Sequence, residues 1–167
     1  MTPFIVFAIV FVPMLVEARR AARNERAQRA RGGIEPGDDV YAAMRIAYPG
    51  GFLLMIAEGA ARNGAPLVVF VFGAVVFALA KALKWWAIAT LGRAWTFRVV
   101  VVPGDPRIAR GPYRLMRHPN YAAVVGELIG AALMAGAPIA GSLATVGFAL
   151  LLRKRIAVEE RMLFQRP

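Results

Sequence analysis

Apolar residues fall along this chain in long blocks separated by arginine-rich stretches. The first block, Thr2 to Val16, reads "TPFIVFAIVFVPMLV" and extends through Glu17 and Ala18. It has no basic segment in front, and six arginines follow between Arg19 and Arg31, so it predicts a retained membrane span and not a cleaved leader. Arg19 to Gly37 is polar and basic and predicts a connection, with "GGIEPGDD" as its loop. A second block, Val40 to Ala61, carries Arg45 and Glu58 near its ends and a kink-prone "YPGG" between them. The third, Pro66 to Leu91, is long and apolar, with Lys81, Lys84, Trp85 and Trp86 near its exit, where an interfacial belt would lie. Tyr121 to Leu152 is too long for one span, and "AGAP" at Ala135 to Pro138 offers a turn, which predicts a helical hairpin. Each arm has ~15 residues against the ~20 of a full span, so tilt or shielding by protein is expected.

The charges give these blocks a direction. Of 21 Lys and Arg, six lie in Arg19 to Arg31, six in Arg93 to Arg117 and five from Arg153 onward. A five-span path puts all three segments on one side, which the positive-inside rule makes cytosolic. The N-terminus is then outside and the C-terminus inside, in a bacterial inner membrane. Anchoring at lipid headgroups accounts for the net charge of +11 without nucleic acid. With 59% hydrophobic residues, the chain is more apolar than most soluble domains. There are no cysteines and one histidine, which excludes disulfides, thiolate chemistry and a multi-histidine metal site within the chain. The reading is one all-α integral membrane domain over residues 1–167, with three spans in 1–91 and the chemistry in 92–167. Its oligomeric state stays open.

Anchoring does not explain every polar residue. The connection contains "TFRVVVV", which favours extended backbone, and "PGDP", which favours a turn. It ends in "RGPYRLMRHPNY", where His118 precedes Pro119. Proline biases His118 toward an extended backbone and itself suits the first helical turn, so His118 is placed at a helix N-terminus, where anions are favoured. The plainer alternative is a structural histidine in a basic loop. The tail "RKRIAVEERMLFQ", Arg153 to Gln165, predicts a helix on which Glu159 and Glu160 point ~100° apart. Arg155 and Glu159, four apart, suit a simple surface pair. Glu127 falls inside the fourth block. A carboxylate there marks either a functional site or a buried partner of Arg45 or Arg93.

An Arg117-His118-Pro119 loop, a helical hairpin and then Glu159-Glu160 resemble the isoprenylcysteine carboxyl methyltransferase family from about Leu91 to Leu163. "LGRAW" and "GPYRLMRHPNY" are similar to it as well. The resemblance implies S-adenosylmethionine as cofactor, in a cytosol-facing pocket closed by the tail helix. It implies that Tyr113, Leu115, His118 and Pro119 line that pocket, with Tyr121 nearby, and that Glu159 or Glu160 bonds a ribose hydroxyl or an ammonium. Eukaryotic members continue past the position of Pro167 into a glycine- and tyrosine-containing segment. That departure turns the expectation from a protein substrate toward a lipophilic small molecule, and "LGRAWTFRVVVVPG" looks most like bacterial members linked to long-chain phenolic or pyrone polyketides.

The expected reaction is methyl transfer to an oxygen. A carboxylate acceptor needs no base, whereas a phenol with a pKa near ~10 benefits from one. Glu127 is the candidate base or orienting group, and Arg114 and Arg117 are candidate anion stabilisers. The acceptor would enter from the bilayer and the cofactor from the cytosol. Two other readings use the same features: a nicotinamide-dependent membrane reductase of the sterol-reductase type, and a lipid-binding scaffold without catalysis.

Overall fold

The computed structural model describes residues 2–164, with side chains described for residues 3–162. Gln165, the last residue of the predicted tail helix, lies outside the described residues. Among the described residues the fold is all-α, with five helices: α1 (Thr2–Ala30), α2 (Tyr41–Ala61), α3 (Leu67–Leu91), α4 (Pro119–Ala135) and α5 (Pro138–Phe164). Short 3-10 turns cover Gly92–Ala94 and Gly111–Arg114. One helical stretch among the described residues, Leu67–Ala94, is long and apolar enough to cross a membrane; Pro119–Ala135 is apolar but shorter.

The expected polar connection from Arg19 does not begin there, because α1 runs on to Ala30. "RRAARNERAQRA" consists almost wholly of good helix formers. Its buried residues Glu17, Ala21, Asn24 and Gln28 follow a 4-3-4 spacing that continues the inward face begun by Val6 and Val10. Asn24 Nδ2 donates to the carbonyls of Gly92 at 3.0 Å and Trp95 at 2.7 Å, and Gln28 Nε2 donates to that of Arg93 at 2.7 Å. These amides tie α1 to the carbonyls of the turn that follows α3. The basic arm is thus a helix packed against the chain that follows α3.

The most extensive helix contact joins α3 to α4. Glycines permit it: a Cβ on Gly73 would stand 2.8 Å from the carbonyl oxygen of Gly130, and one on Gly130 2.6 Å from the nitrogen of Phe77. Backbones this close gain dispersion contacts along their length, the usual glue of helices in apolar surroundings. The hairpin turns at Gly136, whose φ of 70° lies in the left-handed region and whose N–H is bonded to the carbonyls of Ala132 and Leu133. Glu58 accepts from the N–H groups of Ile139 and Ala140 at 3.2 and 2.6 Å, capping the start of α5.

Residues 95–118 are irregular apart from the 3-10 turn at Gly111–Arg114 and one bridge. Ile34 and Val101 exchange backbone hydrogen bonds of 2.8 and 3.0 Å, an isolated antiparallel bridge to the α1–α2 loop. A turn follows with Gly104 at φ 82°, and Asp105 accepts both guanidinium nitrogens of Arg31, at 3.0 and 2.6 Å. Arg161 of α5 holds Asp38 from the other side, at 2.7 and 2.5 Å, and keeps its carboxyl below the usual carboxylate range. All three basic segments therefore meet at one end of the bundle. The loop at Gly64 and the hairpin turn lie together at the other, where a Cβ on Gly136 would stand 2.8 Å from Ala65 N.

Candidate functional site

His118 is the residue before α4, with φ −130° and ψ 61°, and Pro119 is the first helical residue, as the His-Pro pair predicts. The imidazole stacks on Tyr121, one turn on, with ring centroids 5.5 Å apart and planes 20° apart. His118 Nε2 lies 3.2 Å from Glu160 Oε1. The Tyr121 hydroxyl donates to Glu159 Oε2 at 2.5 Å and accepts from Arg155 Nε at 3.3 Å. Both glutamates are thus held by residues of the His-Pro loop, one each, although they point apart on α5.

Arg155 does not form the expected surface pair with Glu159. It is buried, ion-paired with Asp39, and donates to the Phe97 carbonyl at 2.5 Å. One guanidinium thereby joins α5, the α1–α2 loop, the 95–118 segment and α4. Asp39 in turn accepts from the N–H groups of Tyr41 and Val99, both at 3.1 Å.

These groups line a cavity of about 790 Å³, within the range of small-molecule sites. Tyr113, Arg117, His118, Tyr121, Glu159 and Glu160 form one stretch of its wall. Met14, Met44, Val124, Phe148 and Leu152 add apolar side chains to the wall, with Glu17, Arg45 and the Tyr48 hydroxyl among the polar groups there. Burial, with the Glu159 charge beside it, pushes the Tyr113 phenol above its ordinary range, so its hydroxyl stays protonated and available as a donor. Arg117 is largely exposed and 3.7 Å from Glu160.

Other expected site residues lie elsewhere. Leu115 is 74% exposed and, like the exposed Arg114, does not line the cavity. Pro119 is fully buried beneath the loop it helps to shape. Glu127 is 1% exposed and off the cavity wall, and its partners are neither Arg45 nor Arg93. Lys81 Nζ stands 2.9 Å from Glu17 Oε1 and 2.9 Å from Glu127 Oε1. Lys84 Nζ stands 2.8 Å from Glu17 Oε2 and 3.1 Å from Glu127 Oε2. The Tyr48 hydroxyl donates to Glu127 as well. Helices α1, α3 and α4 thus build a closed square of two ammonium and two carboxylate groups in the core, to which α2 adds the Tyr48 hydroxyl. Sequence reasoning missed it, since Lys81 and Lys84 read as interfacial anchors. The available signal was balance: two acids and two bases inside apolar blocks.

A bundle of five helices sets paired acids, a histidine and tyrosines around a cavity of small-molecule size with both polar and apolar lining. The sequence profile of the isoprenylcysteine carboxyl methyltransferase family matches residues 71–165. The chain belongs to this family of membrane methyltransferases, whose methyl donor is S-adenosylmethionine. It is 32% identical over 160 residues to the uncharacterized protein YpbQ of Bacillus subtilis, covering 96% of this chain and 95% of that one. It is 26% identical to an uncharacterized Haemophilus influenzae protein over 93% and 91% of the two chains. A probable protein-S-isoprenylcysteine O-methyltransferase of Oryza sativa subsp. indica is 34% identical over 99 residues, 56% of this chain and 50% of that one. No solved structure matches.

Proposed function

We propose that this protein transfers a methyl group from S-adenosylmethionine to an oxygen of a lipophilic small molecule, a carboxylate or a phenol or enol hydroxyl. The observation that carries the reading is a cavity whose wall combines polar side chains of the His-Pro loop and α5 with apolar side chains of α1, α2, α4 and α5. The residues present fit the donor. Glu159 and Glu160 offer carboxylates for ribose hydroxyls or an ammonium, and His118 and Arg117 suit a carboxylate. Bound there, S-adenosylmethionine would supply a methyl group on a sulfonium, an electrophile that needs alignment and exclusion of water more than activation. Tyr121 and Arg155 hold Glu159 in place, and His118 holds Glu160, so the acids are pre-positioned. Met14, Met44 and Phe148 suit the hydrocarbon of a prenylated compound or long-chain polyketide. Arg117, on the cavity wall, is the better placed anion stabiliser of the two arginines.

Titration calorimetry with S-adenosylhomocysteine tests the donor site. His118→Ala and Glu159→Ala should each weaken binding by ~1–3 kcal/mol, the usual loss for a removed polar partner. Parent-like binding by both variants, or binding of reduced nicotinamide dinucleotide in its place, would sink the assignment.

All five helices are proposed to cross the bilayer, with the C-terminus cytosolic. The meeting of the three basic segments at one end of the bundle supports this. Reporters inserted at Gly64 and fused at the C-terminus should report opposite sides; the same side for both would defeat the topology.

A further inference from the structure

Tyr48 lines the cavity beside Glu17, the member of the buried ion square that reaches its wall, whereas Lys81, Lys84 and Glu127 do not line it. Its ring is fixed by an edge contact with Phe52, centroids 4.9 Å apart, by Phe148 at 5.0 Å, and by the Lys84 ammonium 5.3 Å from its centroid. Its hydroxyl donates to Glu127, which leaves the lone pairs of the phenolic oxygen free to accept. Four charged groups buried at this depth are costly and mark a functional site more often than a structural one. A packing role alone would be met by apolar side chains.

Resting on the methyltransferase reading above, we propose that Tyr48 is the general base for the acceptor, relaying its proton to Glu127. The O–H bond of the acceptor breaks and its proton joins the Tyr48 oxygen. The Tyr48 O–H bond breaks in concert and that proton joins the Glu127 carboxylate. The acceptor oxygen keeps the electron pair and forms the bond to the methyl carbon, whose bond to sulfur breaks with its electrons going to sulfur. The proton returns from Glu127 through Tyr48 to water after the product leaves. Two ammonium and two carboxylate groups are neutral together, so one added proton leaves a net positive charge next to the oxygen that has become an anion. Glu127 alone, off the cavity wall, has no direct access to an acceptor.

The test is Tyr48→Phe, which removes one oxygen and keeps the ring. S-adenosylhomocysteine affinity should be unchanged, which also reports that the variant folds. Single-turnover methylation of a long-chain alkylphenol should fall on the order of 10²-fold, the usual contribution of a general base. Across alkylphenols made more acidic by ring substituents, the defect should shrink. It should nearly vanish for one ionised at the assay pH, because that acceptor has no proton to give. Glu127→Gln should show the same trend, and the double variant should be no slower than the slower single variant. A defect equal across the series, or none, would overturn the assignment of Tyr48 while leaving the methyltransferase reading intact. A parent protein that binds no S-adenosylhomocysteine would overturn both.

Discussion

Lys84→Met should destabilise the protein by about 3–5 kcal/mol, the loss expected when one partner of a buried ion group is removed. Lys84 is 3% exposed and bridges Glu17 on α1 to Glu127 on α4. Methionine fills a similar volume, so the loss reports charge more than packing. Without the Lys84 ammonium, two carboxylates share Lys81, and one uncompensated negative charge stays in the core. Glu17→Gln in the same chain removes that excess charge and should recover about 1–3 kcal/mol, a coupling of the size seen between contacting residues. Unfolding of both variants in detergent, followed by tryptophan fluorescence, gives the two values. If Lys84→Met matches the parent, the square contributes nothing to the fold. An additive double variant would mean that the two residues do not share one electrostatic unit.

Arg155→Met should weaken S-adenosylhomocysteine binding at least about tenfold and destabilise the protein by a further few kcal/mol, on the order of 3. Arg155 is 4% exposed and bonds Asp39, the Phe97 carbonyl and the Tyr121 hydroxyl. Its loss leaves Asp39 a buried carboxylate served by two backbone N–H groups, and frees Tyr121 to turn away from Glu159. The polar wall of the cavity then loses the anchor that sets one acid against the His-Pro loop. Arg155→Lys keeps the charge but cannot span three partners, so it should recover stability more than affinity. Arg153, two residues away and exposed, is the control: Arg153→Ala should change neither. Parent-like affinity in Arg155→Met would show that the acids do not depend on this anchor.

The sequence by itself determined those features that depend on neighbours along the chain. Apolar blocks bounded by glycine, proline and charge give α2 and α3 almost to the residue, since helix bounds follow local propensity and turn chemistry. "AGAP" fixes the hairpin turn, because only a glycine takes the left-handed conformation at Gly136 without strain. His118 before Pro119 fixes the entry into α4, and "PGDP" fixes a turn. The His-Pro loop and the two glutamates were legible as one site through the family pattern, although nothing local says that Glu159 answers Tyr121 and Glu160 answers His118. The continuation of α1 through Arg19 to Ala30 was misread because a run of arginines looks like a solvated loop. Its residues are good helix formers, and Asn24 and Gln28 dock it by reaching carbonyls some 65 to 71 residues away. The same holds for the charges. Arg155 has a candidate partner four residues on, yet it pairs with Asp39, because packing α5 against the α1–α2 loop removes both from water. Glu127 carries no local sign of Lys81, Lys84 or Glu17. Only the packing of α1, α3 and α4 decides which buried charges neutralise each other, and the packing of α2 beside them brings the Tyr48 hydroxyl to Glu127.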